Sequence, residues 1–145
     1  MEKVLVTGAT GFLGLHCIKE LLDRGYSVNG TLRSQDRQTE VVDSLERNNT
    51  PTRHLSLFEV DLNRDSGWDS AIRDCNYVVH VASPFVLTDE DEDFFVKPAV
   101  EGVQRALKFS KKHNVKKVIL TSSFAAIHET LNDRQESFNE EDWSN

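Results

Sequence analysis

The run Thr7-Gly8-Ala9-Thr10-Gly11-Phe12-Leu13-Gly14 follows directly on the apolar stretch Val4-Leu5-Val6. It leads into a helical pattern, Leu15, Ile18, Leu21 and Leu22, that ends near Gly25. Three glycines three residues apart, between a strand and a helix, constrain this chain more than any other feature. In that setting the first glycine permits a tight turn, the second lets backbone approach a diphosphate, and the third lets helix pack closely on strand. The helix N-terminus adds unpaired N–H donors and a partial positive charge facing the phosphates. A glycine trio alone fits an ordinary turn equally well. The strand before it and the helix after it point to a nucleotide site.

Strand and helix signals alternate through the rest of the chain. Strands are predicted over 3–7, 26–32, 54–60, 78–82 and 115–121, with Pro84 ending the fourth. Helices are predicted over 12–24, within 34–47, over 66–74 and over 93–113. The last is expected to turn Val100, Val103, Ala106 and Leu107 inward. Five strands separated by helices predict right-handed βαβ units in one parallel sheet covered on both faces, a doubly wound α/β fold. From Phe124 onward the pattern fades into a polar, loop-like tail.

At 145 residues the chain is one domain's worth of polypeptide. Its net charge of −7 argues against a general affinity for nucleic acid or anionic membrane. No apolar stretch approaches spanning length and no basic leader precedes Val4, so a cytoplasmic protein is expected. Cys17 and Cys75 show neither metal nor redox spacing and are expected to be buried, reduced thiols; no metal site is predicted. The acidic run 89–93 suits the entrance of the long helix, and Lys108, Lys111, Lys112, Lys116 and Lys117 suit its exit. The acidic run lacks the interleaved glycine of a calcium loop.

Cofactor choice should be written at the end of the second strand, where an acid about 20 residues after the glycines favours NAD and an arginine accommodates the 2′-phosphate of NADP. Here Leu32 stands where the acid is expected and Arg33-Ser34 follow. Arg33 is either a phosphate ligand or a solvated loop arginine, and Asp36 is near enough in sequence to pair with it. Asp61-Leu62 close the third strand. Asp61 either accepts from an adenine amino group, with Leu62 packing the ring, or caps the segment that follows. Val81, Ala82 and Ser83 end the fourth strand with small residues that let backbone pass close to a ribose. His80 before them reads as a hydrogen-bonded core histidine rather than a base. Thr121-Ser122-Ser123 end the fifth strand, either as turn formers or as hydroxyls facing a carbonyl substrate.

Taken together, Val6–Gly14, Asp61-Leu62, Val79-His80-Val81-Ala82-Ser83-Pro84, Val118–Ser123 and the tail Phe138-Asn139-Glu140-Glu141-Asp142-Trp143 resemble the N-terminal part of an extended short-chain dehydrogenase/reductase. Within that epimerase/dehydratase superfamily the chain is similar to the dihydroflavonol reductase and cinnamoyl-CoA reductase branch. The resemblance implies a Rossmann-type sheet of order 3-2-1-4-5, incomplete at its C-terminal end, and reduction of an aldehyde or ketone by NADPH. It implies cofactor contacts from Gly8, Thr10, Gly11, Phe12, Leu13, Gly14, Arg33, Ser34, Asp61, Leu62, Val81, Ala82, Ser83, Thr121 and Ser122. Ser123 becomes the residue that orients the carbonyl, Phe85 and Phe124 suit either the near wall of a substrate pocket or core packing, and the helix at 93–113 suits a homodimer contact. One departure stands out. The family's Tyr-x-x-x-Lys is missing, because Tyr26 and Tyr77 are the sole tyrosines and neither has lysine four residues on. The chain is therefore expected to be inactive alone, either as a piece of a longer reductase or as a short nucleotide-binding product. A nucleotide-sugar epimerase or dehydratase and a non-enzymatic dinucleotide sensor are the alternative readings.

Overall fold

The computed structural model describes residues 1–83, 92–128 and 138–143. Five strands, β1 (Lys3–Thr7), β2 (Ser27–Leu32), β3 (Leu55–Glu59), β4 (Tyr77–His80) and β5 (Lys117–Leu120), form one sheet of order β3-β2-β1-β4-β5. Every pairing is parallel, and β1 at the centre places Val6 beside Gly30 of β2 and Val79 of β4. This is the expected Rossmann-type order. Helices α1 (Phe12–Asp23), α2 (Gln38–Arg47), α3 (Trp68–Ile72), α4 (Glu92–Lys112) and α5 (Ala125–His128) fill the connections.

Side chains alternate across a strand, so β1 feeds two cores at once. Leu5 joins Trp68, Ile72, Val78, Ala106 and Phe109 on the side of α3 and α4. Val4 and Val6 join Ile18, Val28, Val41 and Leu45 on the side of α1 and α2. In the first core the Trp68 and Phe109 rings stack with centroids 6.0 Å apart, and the Trp68 indole N–H donates to the Asp61 carbonyl at 3.3 Å. Asn29, buried in β2, is satisfied because its amide donates to the Ala71 carbonyl at 2.7 Å.

Three expectations need correction. Helix α4 turns Gly102, Ala106, Phe109 and Ser110 inward, while Val100 and Leu107 are 47% and 50% exposed and Val103 is half-buried. The cause is close packing at Gly102, where a Cβ would stand 3.3 Å from Leu62. That approach rotates the valine and leucine stripe away from the core by about one residue step, ~100°. Cys17 is half-buried rather than buried, although Cys75 is buried and both thiols are free. The segment after Phe124 is not all loop, since Ser123 starts the short helix α5. Pro84, Phe85 and the acidic residues 89–91 lie outside the described residues. Glu92 and Asp93 open α4, and Lys111 and Lys112 close it. Among the described residues, no helix is long and apolar enough to cross a membrane and no cluster suits a metal ion.

Candidate functional site

The glycine turn joins β1 to α1 in the geometry its sequence demands. Gly8 sits at φ +79°, a region costly for any residue with a Cβ. A Cβ on Gly14 would be driven into the Gly8 carbonyl, so the helix can lie this close only with glycine there. The turn is tied down from within and from β2. Gly11 N–H donates to the Gly8 carbonyl at 3.0 Å, Ala9 N–H to the Thr31 carbonyl at 2.7 Å, and Gly8 N–H to the Thr31 hydroxyl at 3.2 Å. Helix α1 begins at Gly11 with no side-chain cap. Its first N–H groups are therefore left for an anion.

A cavity of about 450 Å³ opens over this turn, at the carboxyl ends of the strands where open α/β sheets bind ligands. The glycine turn (Gly8, Thr10, Gly11, Phe12, Leu13 and Gly14) forms one side. Val81, Ala82 and Ser83 line it from the end of β4, with Ala82 packed close to Gly8, and Leu62 lines it from beyond β3. Arg33 reaches it from the end of β2. Arg33 is exposed and, among the described residues, carries no ion pair; Asp36 instead accepts from the Ser34 hydroxyl at 3.3 Å. The expected competitor for Arg33 is thus engaged elsewhere.

Sequence reasoning missed Arg37, which lines the same cavity with Thr31, Leu32 and Val60. Its signal is in the chain, four residues beyond Arg33, in a polar segment, 34–47, for which the sequence predicts a short helix and no site residue past Ser34. A 3-10 turn at Gln35–Arg37 breaks it and swings Arg37 towards the cavity. Arg37 makes a forked ion pair with Glu40, with contacts of 3.1, 3.2 and 2.8 Å. The hydrogen bonds to Glu40 push the Arg37 pKa up, and those to Arg37 pull the Glu40 carboxyl down.

Four residues expected at the cofactor are not in the cavity wall. The Ser34 hydroxyl caps the 3-10 turn, accepting from Asp36 N–H at 3.4 Å. Asp61 takes the capping role, its carboxylate accepting from Asn63 N–H at 2.9 Å. Thr121 continues the backbone ladder by donating to the His80 carbonyl at 3.1 Å. Ser122 and Ser123 line a second cavity of about 440 Å³ with Phe124, Ile127, Asn139, Glu140 and Trp143. The Ser123 hydroxyl accepts from Ala125 N–H at 3.2 Å, so it starts α5 as well as facing that cavity. His80 is buried and bonded to Thr7 across the sheet at 3.0 Å, the core role expected of it.

The comparisons with known proteins agree with this geometry. A model of the 3-beta hydroxysteroid dehydrogenase/isomerase family matches residues 5–144. A dihydroflavonol 4-reductase of Dianthus caryophyllus is 36% identical over 128 residues, which cover 88% of this chain and 35% of that protein. An anthocyanidin reductase ((2S)-flavan-3-ol-forming) of Vitis vinifera is 40% identical over 124 residues, covering 84% and 36%. The crystal structure of yeast methylglyoxal/isovaleraldehyde reductase Gre2, complexed with NADPH, superposes with a TM-score of 0.83 at 34% identity. That match covers 97% of this chain and 43% of Gre2. Vestitone reductase from alfalfa (Medicago sativa L.) gives a TM-score of 0.76 at 33% identity, with 100% of this chain and 43% of that one covered. The chain thus spans little more than a third of the length of these curated relatives. On the near-complete family match, the fold and the glycine cradle, the chain belongs to the 3-beta hydroxysteroid dehydrogenase/isomerase family.

Proposed function

We propose that this chain is the dinucleotide-binding part of a reductase that uses NADPH on an aldehyde or ketone. The observation that carries the reading is Arg33, an exposed cation with no ion pair among the described residues, in the same cavity as the glycine turn. The cavity fits such a group: uncapped N–H donors at α1 face the place of a diphosphate, and two arginines flank the place of a 2′-phosphate. Gly11, Phe12 and Leu13 would hold the diphosphate through backbone, Arg33 and Arg37 the 2′-phosphate, and Val81–Ser83 the ribose beyond it. The relatives are reductases by name, and Gre2 is named as an NADPH complex. A nucleotide-sugar epimerase or dehydratase is disfavoured by the same strand end, where Leu32 replaces the acid that would bond the ribose of NAD and Arg33 follows it.

When bound, the nicotinamide supplies a hydride for the carbonyl carbon. In this reading the Ser123 hydroxyl, at the rim of the neighbouring cavity, donates to the carbonyl oxygen and orients it. The Tyr-x-x-x-Lys that the family resemblance implies as proton donor does not occur in these 145 residues, since neither Tyr26 nor Tyr77 precedes a lysine by four residues. The 145 residues accordingly bind nucleotide without turning over a substrate unaided. The apolar stripe Val96, Val100 and Leu107, each about half exposed on α4, is the face through which two copies would pair.

Titration with NADPH and NADH tests the cofactor. NADPH is expected to bind at least about tenfold more tightly, and Arg33→Ala to erase most of the difference, as fits loss of charge-assisted hydrogen bonds. Equal affinities in the unaltered protein would sink the assignment.

A further inference from the structure

The backbone wall beside the glycine turn is set by one buried hydroxyl. Thr7, fully buried at the end of β1, has Oγ1 3.0 Å from Val81 N–H, 3.0 Å from Ala82 N–H and 3.0 Å from His80 Nδ1. A hydroxyl has two acceptor lone pairs and one proton. The two amides can only donate, so they occupy both lone pairs. The hydroxyl proton is left to His80, and Nδ1 must be bare to receive it. An imidazole protonated at Nδ1 would bring a third donor to an oxygen with two sites, and one backbone N–H would lose its partner. Such a buried, unpaired donor is costly.

We propose that His80 is a positioning residue for the dinucleotide cavity. Its bare Nδ1 takes the Thr7 proton, aims both Thr7 lone pairs at the amides of Val81 and Ala82, and so sets the cavity wall beside the glycine turn. Little slack exists on that side, because a Cβ at Gly8 would stand 3.2 Å from both Cα and Cβ of Ala82. A shift of the Val81–Ala82 backbone would therefore either open the cavity or press into the turn. His80 is 3% exposed, and its burial pushes the imidazole pKa down, which keeps the ring neutral as this role requires. The consequence for nucleotide affinity rests on the cofactor reading above. The hydrogen-bond geometry stands without it.

The test uses the full 145-residue chain labelled with ¹⁵N. The imidazole nitrogen signals of His80 are expected to show a neutral ring protonated at Nε2. His80→Leu removes the acceptor, whereas His80→Asn offers a side-chain oxygen in its stead. Amide exchange at Val81 and Ala82 should rise about tenfold in His80→Leu and stay within about twofold of the parent in His80→Asn, and NADPH should bind His80→Leu about three- to tenfold more weakly. A ring protonated at Nδ1, an imidazolium at neutral pH, or parent-like exchange in His80→Leu would overturn the proposal. Where His80→Leu fails to fold, the ring tautomer of the parent chain and the exchange rates of His80→Asn decide it. Should the parent chain bind no NADPH, the cofactor reading falls, while tautomer and exchange still judge His80.

Discussion

Strands β1 and β5 carry much the same apolar sequence and meet opposite fates. Val4, Leu5 and Val6 are 2%, 0% and 0% exposed, whereas Ile119 and Leu120 are 53% and 49% exposed. The difference is cover, not composition. β1 has a strand on each side and helices on each face, while β5, among the described residues, is bonded to β4 alone. Neighbouring residues of a strand point to opposite faces, so Ile119 and Leu120 together report two open faces. The stripe Val96, Val100 and Leu107 on α4, each about half exposed, adds to the apolar surface that lies outside the core fed by β1. An apolar run tells what a strand can bury, and its neighbours decide whether it does.

Matched truncations give the sharpest test of that contrast. Leu5→Ala is expected to cost about 3 kcal/mol of unfolding free energy, from lost burial plus the cavity left behind. Ile119→Ala should cost about 1 kcal/mol or less, because half of its surface is already in water. Equal shifts of the urea midpoint would show that β5 is covered in solution. Thiol chemistry reads the contrast by rate. Burial pushes the Cys75 thiol up to about 11 from an ordinary 9.0, so alkylation near neutral pH should modify Cys17 first and Cys75 only on unfolding. Its folded pKa lies above its unfolded one, so this group's contribution to stability is whole below pH 9 and fades as the pH climbs through 11.

The smallest expected effect lies on the surface that clasps α3 to α4. Asp69 accepts from Lys112 at 2.8 Å and pairs with His113 at 2.8 Å, and Asp65 pairs with Arg105 at 3.0 Å and with Lys108. Bonds from Lys112 to Asp69 and from Lys108 to Asp65 hold both carboxyls below their usual range. A lowered folded pKa means a contribution present at neutral pH and lost as the pH falls through that range. Asp65→Asn with Asp69→Asn should therefore flatten the acid limb of the stability profile slightly, an effect that high salt erases. A large loss at neutral pH would show that the clasp, rather than the Trp68–Phe109 stack, joins these helices.

The parallel sheet and the glycine side of the cavity were legible in the chain's own pattern, and the strand order came with the family resemblance. Period-two and near-continuous apolar runs locate strands well, and the glycine spacing fixes one local geometry. What escaped was rotation and interruption. The inward face of α4 depends on the close approach of Gly102 to Leu62, a contact across 40 residues of sequence that periodicity within the helix does not contain. Arg37 escaped because a 3-10 turn divides a segment whose composition suits one helix. Asp61 takes the capping role, one of the two readings open to it, and Ser34 caps the 3-10 turn beside Arg33. Short polar side chains there serve the local backbone first, and the cavity wall passes to their neighbours Arg33 and Leu62.

The order β3-β2-β1-β4-β5 also has a consequence for birth on the ribosome. Synthesis releases the central strand first, then the two that build outward on one flank. Until β4 arrives, β1 offers a bare edge of backbone donors and acceptors to whatever passes. Thr7 and its partner His80 are separated by 73 residues, so that exposure lasts for as long as those residues take to be made. An unpaired edge is a template for aggregation. Slow translation between β3 and β4 is therefore the step at which a nascent chain of this design most needs a chaperone.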